Sequence, residues 1–221
     1  MNTETLKELL LNASHLHVFG YGSLLWKTDF KYDSKQVGFI KNYKRKFDLG
    51  NTTHRGTEKM PGRVAHIEES EGDKAWGVAF KVCGKAEIMK ALNYLNTREC
   101  ELGGYTTLVT EFHPRENPNQ TLTVLCYTAT NDNILYLGPT SYLDMASQVV
   151  SARGKAGSNV EYVTKIAEYV KAFIPEDNDE HLFSLDKEIR FLIRDRQLSK
   201  HRVGQDPELH ASTIINPVPA S

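Results

Sequence analysis

The sequence predicts an α+β fold, in which about six mostly antiparallel strands curl into a sheet or barrel with helices flanking it. Three observations predict it. Strand-like segments follow one another as far as residue 129 with a single helix-patterned stretch among them, which a regular βαβ series does not produce. The segment Trp76-Gly77-Val78-Ala79-Phe80-Lys81-Val82 alternates, with Trp76, Val78, Phe80 and Val82 on one face. After residue 140 the apolar period lengthens to that of helices.

In chain order, a short helix is expected over 3–13, with Leu6, Leu9 and Leu10 on one face and Thr3 or Thr5 as its cap. Strands are expected over 16–20, part of 36–50, 62–68, 74–83, 105–113 and 121–129. Between the fourth and fifth, Lys85 to about Thr97 sets Ile88, Leu92 and Leu95 at helical spacing and ends just before Gly103-Gly104. Three helices follow, Tyr142–Ala152, Asn159–Phe173 and Glu180–Gln197; in the second the stripe is Val163, Ile166, Ala167, Val170 and Phe173. With no repeat and no composition break, residues 1–197 read as one domain. From Leu198 the chain is polar and holds Pro207, Pro217 and Pro219, so 198–221 is expected to be a mobile tail.

The 27 basic residues nearly balance the 28 acidic ones, which removes the general electrostatic reason to expect nucleic acid or an anionic membrane as partner. No run approaches the roughly 20 apolar residues that span a bilayer. The N-terminal stretch carries Glu4 and Glu8 and lacks the apolar core of a secretory signal. Cys83, Cys100 and Cys126 are an odd set at wide spacing, which fits a reducing compartment better than a disulfide framework. A cytoplasmic protein is expected. His15, His17, His54, His66, His113 and His181 show no metal-ligand spacing, so no metal site is expected.

Two segments carry candidate chemistry. In Val18-Phe19-Gly20-Tyr21-Gly22-Ser23-Leu24-Leu25-Trp26 an apolar run ends in a glycine-rich loop. Glycine lets the backbone approach a ligand closely, and such a loop can aim bare N–H groups at an anion or a developing oxyanion. It can equally be a tight turn with no ligand. A dinucleotide role is not expected, since Leu25 stands where the third fingerprint glycine is needed. The second segment, Arg98-Glu99-Cys100-Glu101-Leu102-Gly103-Gly104-Tyr105, places two acids at a helix end. Most such acids are solvated surface. Here the helix field disfavours them, and with partial burial it would lift a carboxyl toward the range useful for moving protons. Position alone does not choose between Glu99 and Glu101. Cys100 reads as a small half-buried thiol rather than a nucleophile. Arg55 and Arg63 flank turn-rich segments and could hold a substrate carboxylate through a bidentate pair.

With these residues in view, the chain resembles the ChaC-type γ-glutamylcyclotransferases, the branch regarded as specific for glutathione. The matching pieces are Phe19-Gly20-Tyr21-Gly22-Ser23-Leu24-Leu25-Trp26, Thr53-His54-Arg55-Gly56, Pro61-Gly62-Arg63-Val64, Trp76-Gly77-Val78-Ala79, Arg98-Glu99 through Gly103-Gly104-Tyr105, Tyr136-Leu137-Gly138-Pro139 and Asp179-Glu180-His181-Leu182-Phe183. They fall in order from about residue 16 to 190. The resemblance implies a small β-barrel in an α+β fold, with the loop Tyr21, Gly22, Ser23 and Leu24 cradling the γ-glutamyl group; Arg55, Arg63 and Tyr105 are further candidates for substrate binding. It also implies that Glu99, directly after Arg98, is the catalytic carboxylate; aligning from the Gly-Gly-Tyr side would select Glu101 instead. The leading helix and the tail lie outside the match. The segment Gly154-Lys155-Ala156-Gly157-Ser158-Asn159 carries serine where the family carries arginine.

The implied reaction converts glutathione to 5-oxoproline and Cys-Gly. The α-amine lies four bonds from the γ-amide carbonyl carbon, so its attack closes a five-membered lactam. The nucleophile is already in the substrate, and no enzyme nucleophile, metal or cofactor is required. Holding the arm in an attack geometry can contribute roughly 7–11 kcal/mol in favourable cases. Freeing the amine from its ammonium form, with a reference pKa near ~8, costs only about 1–2 kcal/mol at neutral pH. Two other readings are open at this level: a cyclotransferase for other γ-glutamyl amino acids or amines, and a non-catalytic γ-glutamyl-binding regulatory protein.

Overall fold

The computed structural model describes residues 14–101 and 104–204. The helix expected over 3–13 and the tail from 205 onward lie outside the described residues.

Five strands close into a barrel in the order β1, β3, β2, β4, β5. β1 is His15–Gly20, β2 Ser34–Asn51, β3 Gly62–Cys83, β4 Thr106–Pro114 and β5 Leu122–Thr128. All neighbouring pairs are antiparallel except β1 and β5, which close the barrel in parallel through Val18 opposite Leu125 and Phe19 opposite Cys126. The pattern Trp76, Val78, Phe80 and Val82 falls within β3, where Val78, Phe80 and Val82 are buried.

The strand count corrects the sequence expectation of six. The stretches 62–68 and 74–83 are halves of one 22-residue strand. β2 is long enough to pair with both halves: Tyr43 faces Glu69, and Lys41 faces Lys74. At the bend Ser70–Asp73 stand against Asn42, whose φ is 63° and whose Oδ1 accepts the Gly72 N–H at 3.1 Å. The polar run Glu68–Lys74, which reads as a turn between strands, is this solvated bulge.

The helices lie outside the barrel wall. Helix α1, Lys85–Leu95, buries Ile88, Ala91 and Leu95 and passes directly into a π turn, Asn96–Glu101. Helix α2 is Tyr142–Ser151, capped by Ser141 Oγ accepting the Asp144 N–H at 3.1 Å. A two-residue hairpin, β6 Arg153–Gly154 and β7 Gly157–Ser158, leads into α3, Asn159–Phe173, which Ser158 caps in the same way through Glu161 N–H. Helix α4 runs from Glu180 to Gly204, past the expected end at Gln197.

Phe19, Phe47, Phe80 and Phe112 fill the core without exposure, and truncating any of them to alanine costs about 3–5 kcal/mol. Leu182, Leu185 and Ile189 seal α4 onto the same core. The site residues come from one end of this frame: the end of β1, the ends of β2 and β3 that meet there, the π turn, the start of β4 and the first turns of α3.

Candidate active site

Past Gly20, β1 becomes a loop that ends in a single 3₁₀ turn, Ser23–Leu25. Space explains its two glycines. A β-carbon on Gly20 would stand 2.6 Å from Leu24 Cβ, and one on Gly22 would stand 3.1 Å from Tyr162 Oη. Between them Tyr21 is fixed at both ends. Its hydroxyl donates to the Tyr127 carbonyl at 2.7 Å, and its own carbonyl accepts from Arg45 Nε at 3.0 Å. Arg45 is buried and pairs in turn with Asp177 at 3.4 Å and Asp179 at 2.6 Å. The N–H groups of Ser23 and Leu24 open the 3₁₀ turn and find no carbonyl within it.

Across from this loop stands the π turn. Such turns insert one more residue than an α-helix accommodates and recur at functional sites. It closes through Tyr105 N–H donating to Glu99 O at 2.9 Å and Gly104 N–H to Cys100 O at 3.1 Å. Glu99 and Arg98 have side chains only 15% exposed, with Arg98 Nε 3.1 Å from Glu99 Oε1. The Arg98 guanidinium bridges the two segments: it donates to Ser23 Oγ at 2.5 Å, Lys27 O at 3.0 Å and Tyr94 Oη at 3.3 Å. Burial lifts the Glu99 carboxyl above the ordinary glutamate range, with Arg98 pulling the other way. Glu101 is exposed and accepts from Asn96 Nδ2 at 3.1 Å.

A cavity of about 460 Å³ opens above Glu99, lined among others by Ser23, Lys27, His54, Arg55, Arg98, Tyr105 and Tyr162. At its base is a recess of about 30 Å³, whose walls are Phe19 to Leu24, Ala65, Glu99, Tyr105, Tyr127 and Tyr162. Burial pushes the Tyr162 hydroxyl up to about 12 and those of Tyr21, Tyr105 and Tyr127 well up too, so the phenols around Glu99 keep their protons at neutral pH. The Ala65 peptide holds two of them: Tyr105 donates to its carbonyl at 2.6 Å, and Tyr162 Oη accepts its N–H at 3.0 Å. Tyr105 has thereby spent its proton, and Tyr162 has not.

Of the residues singled out in the sequence, Ser23, Arg55, Glu99 and Tyr105 meet on the cavity, while Tyr21, Gly22 and Leu24 line the recess. Arg55 is anchored there by Glu161 at 3.0 Å and the Ser158 carbonyl at 3.1 Å. Arg63 lines neither space. It is a buried connector, donating to Gln148 at 2.8 Å and to the carbonyls of Phe47 at 3.0 Å and Gly138 at 3.1 Å, which leaves it no role as a substrate clamp. Sequence reasoning missed Tyr162, Tyr127, Lys27 and His54. Tyr162 carries the one available signal: a tyrosine beside an apolar helix stripe needs a partner for its hydroxyl. Among the described residues no group of three or more histidine, cysteine, aspartate or glutamate side chains is gathered as a metal ion would need. No helix among them is long and apolar enough to cross a membrane.

The family model described as ChaC-like protein matches residues 16–192. The chain is 43% identical to the zebrafish (Danio rerio) glutathione-specific gamma-glutamylcyclotransferase 1, over 85% of this chain and 95% of that protein. It is 45% identical to the human (Homo sapiens) protein of the same name, over 77% and 76% of the two chains. A crystal structure of the yeast gamma-glutamylcyclotransferase specific to glutathione superposes with a TM-score of 0.71 at 24% identity, covering 81% of this chain and 99% of that one, which establishes the likeness of fold.

Proposed function

This chain belongs to the ChaC-like protein family, and on that footing we propose that it is an enzyme that cleaves reduced glutathione to 5-oxoproline and Cys-Gly. The observation that carries the mechanism is the placement of Glu99, a sheltered carboxylate on the wall that the glycine loop shares.

The γ-glutamyl arm binds where the cavity meets the recess and folds so that its α-amine faces Glu99 and its γ-carbonyl faces the glycine loop. The attacking nitrogen begins with three protons and ends, in the lactam, with one. The leaving nitrogen of cysteine makes the opposite change. One carboxylate can therefore carry both protons in turn and finish as it began. A raised carboxyl suits this work, because it narrows the gap between the groups exchanging protons. Arg98 keeps that rise in check while tying Glu99 to the loop through Ser23.

As the amine attacks, negative charge gathers on the carbonyl oxygen. The N–H groups of Ser23 and Leu24, which open the 3₁₀ turn, and the Tyr162 hydroxyl are the donors on hand for it. Arg55, fixed at the cavity wall, is the nearby cation for a substrate carboxylate. The residues' own chemistry needs no covalent intermediate. Cys83, Cys100 and Cys126 are free thiols, which supports a cytoplasmic setting.

Incubating the purified protein with reduced glutathione tests the proposal. Equal amounts of 5-oxoproline and Cys-Gly are expected. Glutathione left intact, or glutamate released in place of the lactam, overturns it.

A further inference from the structure

The reacting arm is placed against Glu99, where the small recess opens into the far larger cavity. What remains of the proposed substrate is the Cys-Gly half, about 7 Å of extended chain ending in a second carboxylate. That length carries the carboxylate away from Glu99 and into the outer part of the cavity.

The cations there are not equally available. Arg98 is committed to Glu99 and Ser23, and Arg55, held by Glu161 and the Ser158 carbonyl, is already assigned to the carboxylate of the γ-glutamyl half. Lys27 is different. Its partner Asp29 stands 3.5 Å away, with both side chains about half in water, and already accepts the Tyr94 hydroxyl at 3.1 Å. Such a pair contributes little and is readily exchanged. Lys27 also begins close to the recess, since its N–H donates to the Ser23 carbonyl at 2.9 Å.

His54 lies on the same cavity, its backbone fixed by Ala156 N–H donating to its carbonyl at 2.9 Å and Lys155 N–H to Thr53 O at 3.0 Å. After burial, the influences on the His54 ring are Arg98, Arg55, Lys27 and Lys155, all of which disfavour its protonation. The imidazole is thus neutral and still has a ring N–H to donate to an anion in the cavity.

We propose that Lys27 and His54 form the carboxylate-binding end of the cavity: Lys27 Nζ pairs with the glycyl carboxylate of glutathione, and the His54 ring N–H donates to it. This rests on the reading of the chain as a glutathione cyclotransferase and deepens it, because it names what reads the Cys-Gly half. A γ-glutamyl dipeptide ends one residue, about 3.5 Å, short of where the glycyl carboxylate is placed.

The test pairs each residue with the group it recognises. Glutathione and its glycinamide, in which the terminal carboxylate is an uncharged amide, are compared by kcat/KM with the wild-type enzyme and with Lys27→Met, Lys27→Arg and His54→Phe. The wild type is expected to lose about tenfold on the amide, chiefly through KM, the size of one charged hydrogen bond. Lys27→Met and His54→Phe are expected to lose about tenfold on glutathione and less than about threefold on the amide, with Lys27→Arg recovering most of the loss. Equal losses on both substrates, or no loss on glutathione, overturn the assignment while leaving the reaction intact. If the wild type makes 5-oxoproline from neither substrate, the underlying reading fails and the inference fails with it.

Discussion

Arg98 Nη2 donates to Ser23 Oγ at 2.5 Å, joining residues 75 positions apart and locking the π turn to the glycine loop. The same guanidinium touches Glu99 at 3.1 Å. Arg98 therefore acts on both geometry and charge, and the two effects can be separated. In Arg98→Met the Glu99 carboxyl loses the cation that opposes its upward shift, so its pKa rises further. The acid limb of log(kcat/KM) against pH is expected above the ordinary glutamate value in the wild type and higher again in the variant. An acid limb that does not move would show that Glu99 is not the group titrating there.

Tyr105 and Tyr162 share the Ala65 peptide and should respond differently to loss of the hydroxyl. Tyr162→Phe removes a donor facing the recess and leaves Ala65 N–H without its acceptor. Turnover is expected to fall about 10²-fold, as for loss of one oxyanion donor, with about 1–3 kcal/mol of stability lost to the unpaired N–H. Tyr105→Phe frees only a carbonyl, so turnover is expected to fall less than about tenfold on the same reasoning. Steady-state kinetics beside thermal melts separates the two. Equal rate losses would contradict the distinction drawn between a spent and an unspent proton.

Much of this arrangement was legible in the residues. The alternation in Trp76–Val82 and the long apolar spacings after residue 140 placed β3 and the later helices, because burial on one face imposes those periods. The Gly20–Ser23 loop and the Arg98-Glu99 pair were visible as motifs. Strand fusion across Glu68–Lys74 was not, since a solvated bulge and a turn select the same polar residues. Nor was the choice between Glu99 and Glu101: a π turn rotates the chain away from α-helical phase, turning Glu99 inward and leaving Glu101 in water. Arg63 misled because a buried arginine serving carbonyls looks the same in sequence as one serving a ligand. Tyr162, His54 and Lys27 reach the cavity from distant segments, and only the closed barrel brings them together.

His181 gives the fold a pH dependence independent of the active site. Burial lowers its pKa from 6.5 to about 4, and its Nε2 accepts the Phe47 N–H at 3.2 Å, which only the neutral ring can do. A group depressed on folding contributes stability that is present above its unfolded pKa and lost as pH falls through the folded one. About 2–3 kcal/mol should therefore be lost between pH 6.5 and about 4. Thermal melts over that window are expected to flatten in His181→Gln, which does not titrate. An unchanged slope would assign the acid sensitivity to other groups.

The segment after α4 is proposed to contribute nothing to chemistry. A chain ending at Gly204, where the last helix stops, is expected to keep its kcat within about twofold and its melting temperature within about 2 °C, as for surface changes remote from the core. Joint loss of both would place the missing residues against the barrel.

The most direct measurement is the turnover of glutathione by Glu99→Gln beside Glu101→Gln. Glutamine preserves the size of Glu99 and most of its contacts but cannot carry a proton. Its kcat is expected to fall by at least about 10²-fold, with folding intact and KM much less affected, since the glycine loop does most of the holding. Glu101→Gln, altering an exposed side chain, is expected to remain within a few-fold of wild type. Full activity in Glu99→Gln, with or without loss in the Glu101 variant, would contradict the claim that Glu99 shuttles the protons of lactam formation.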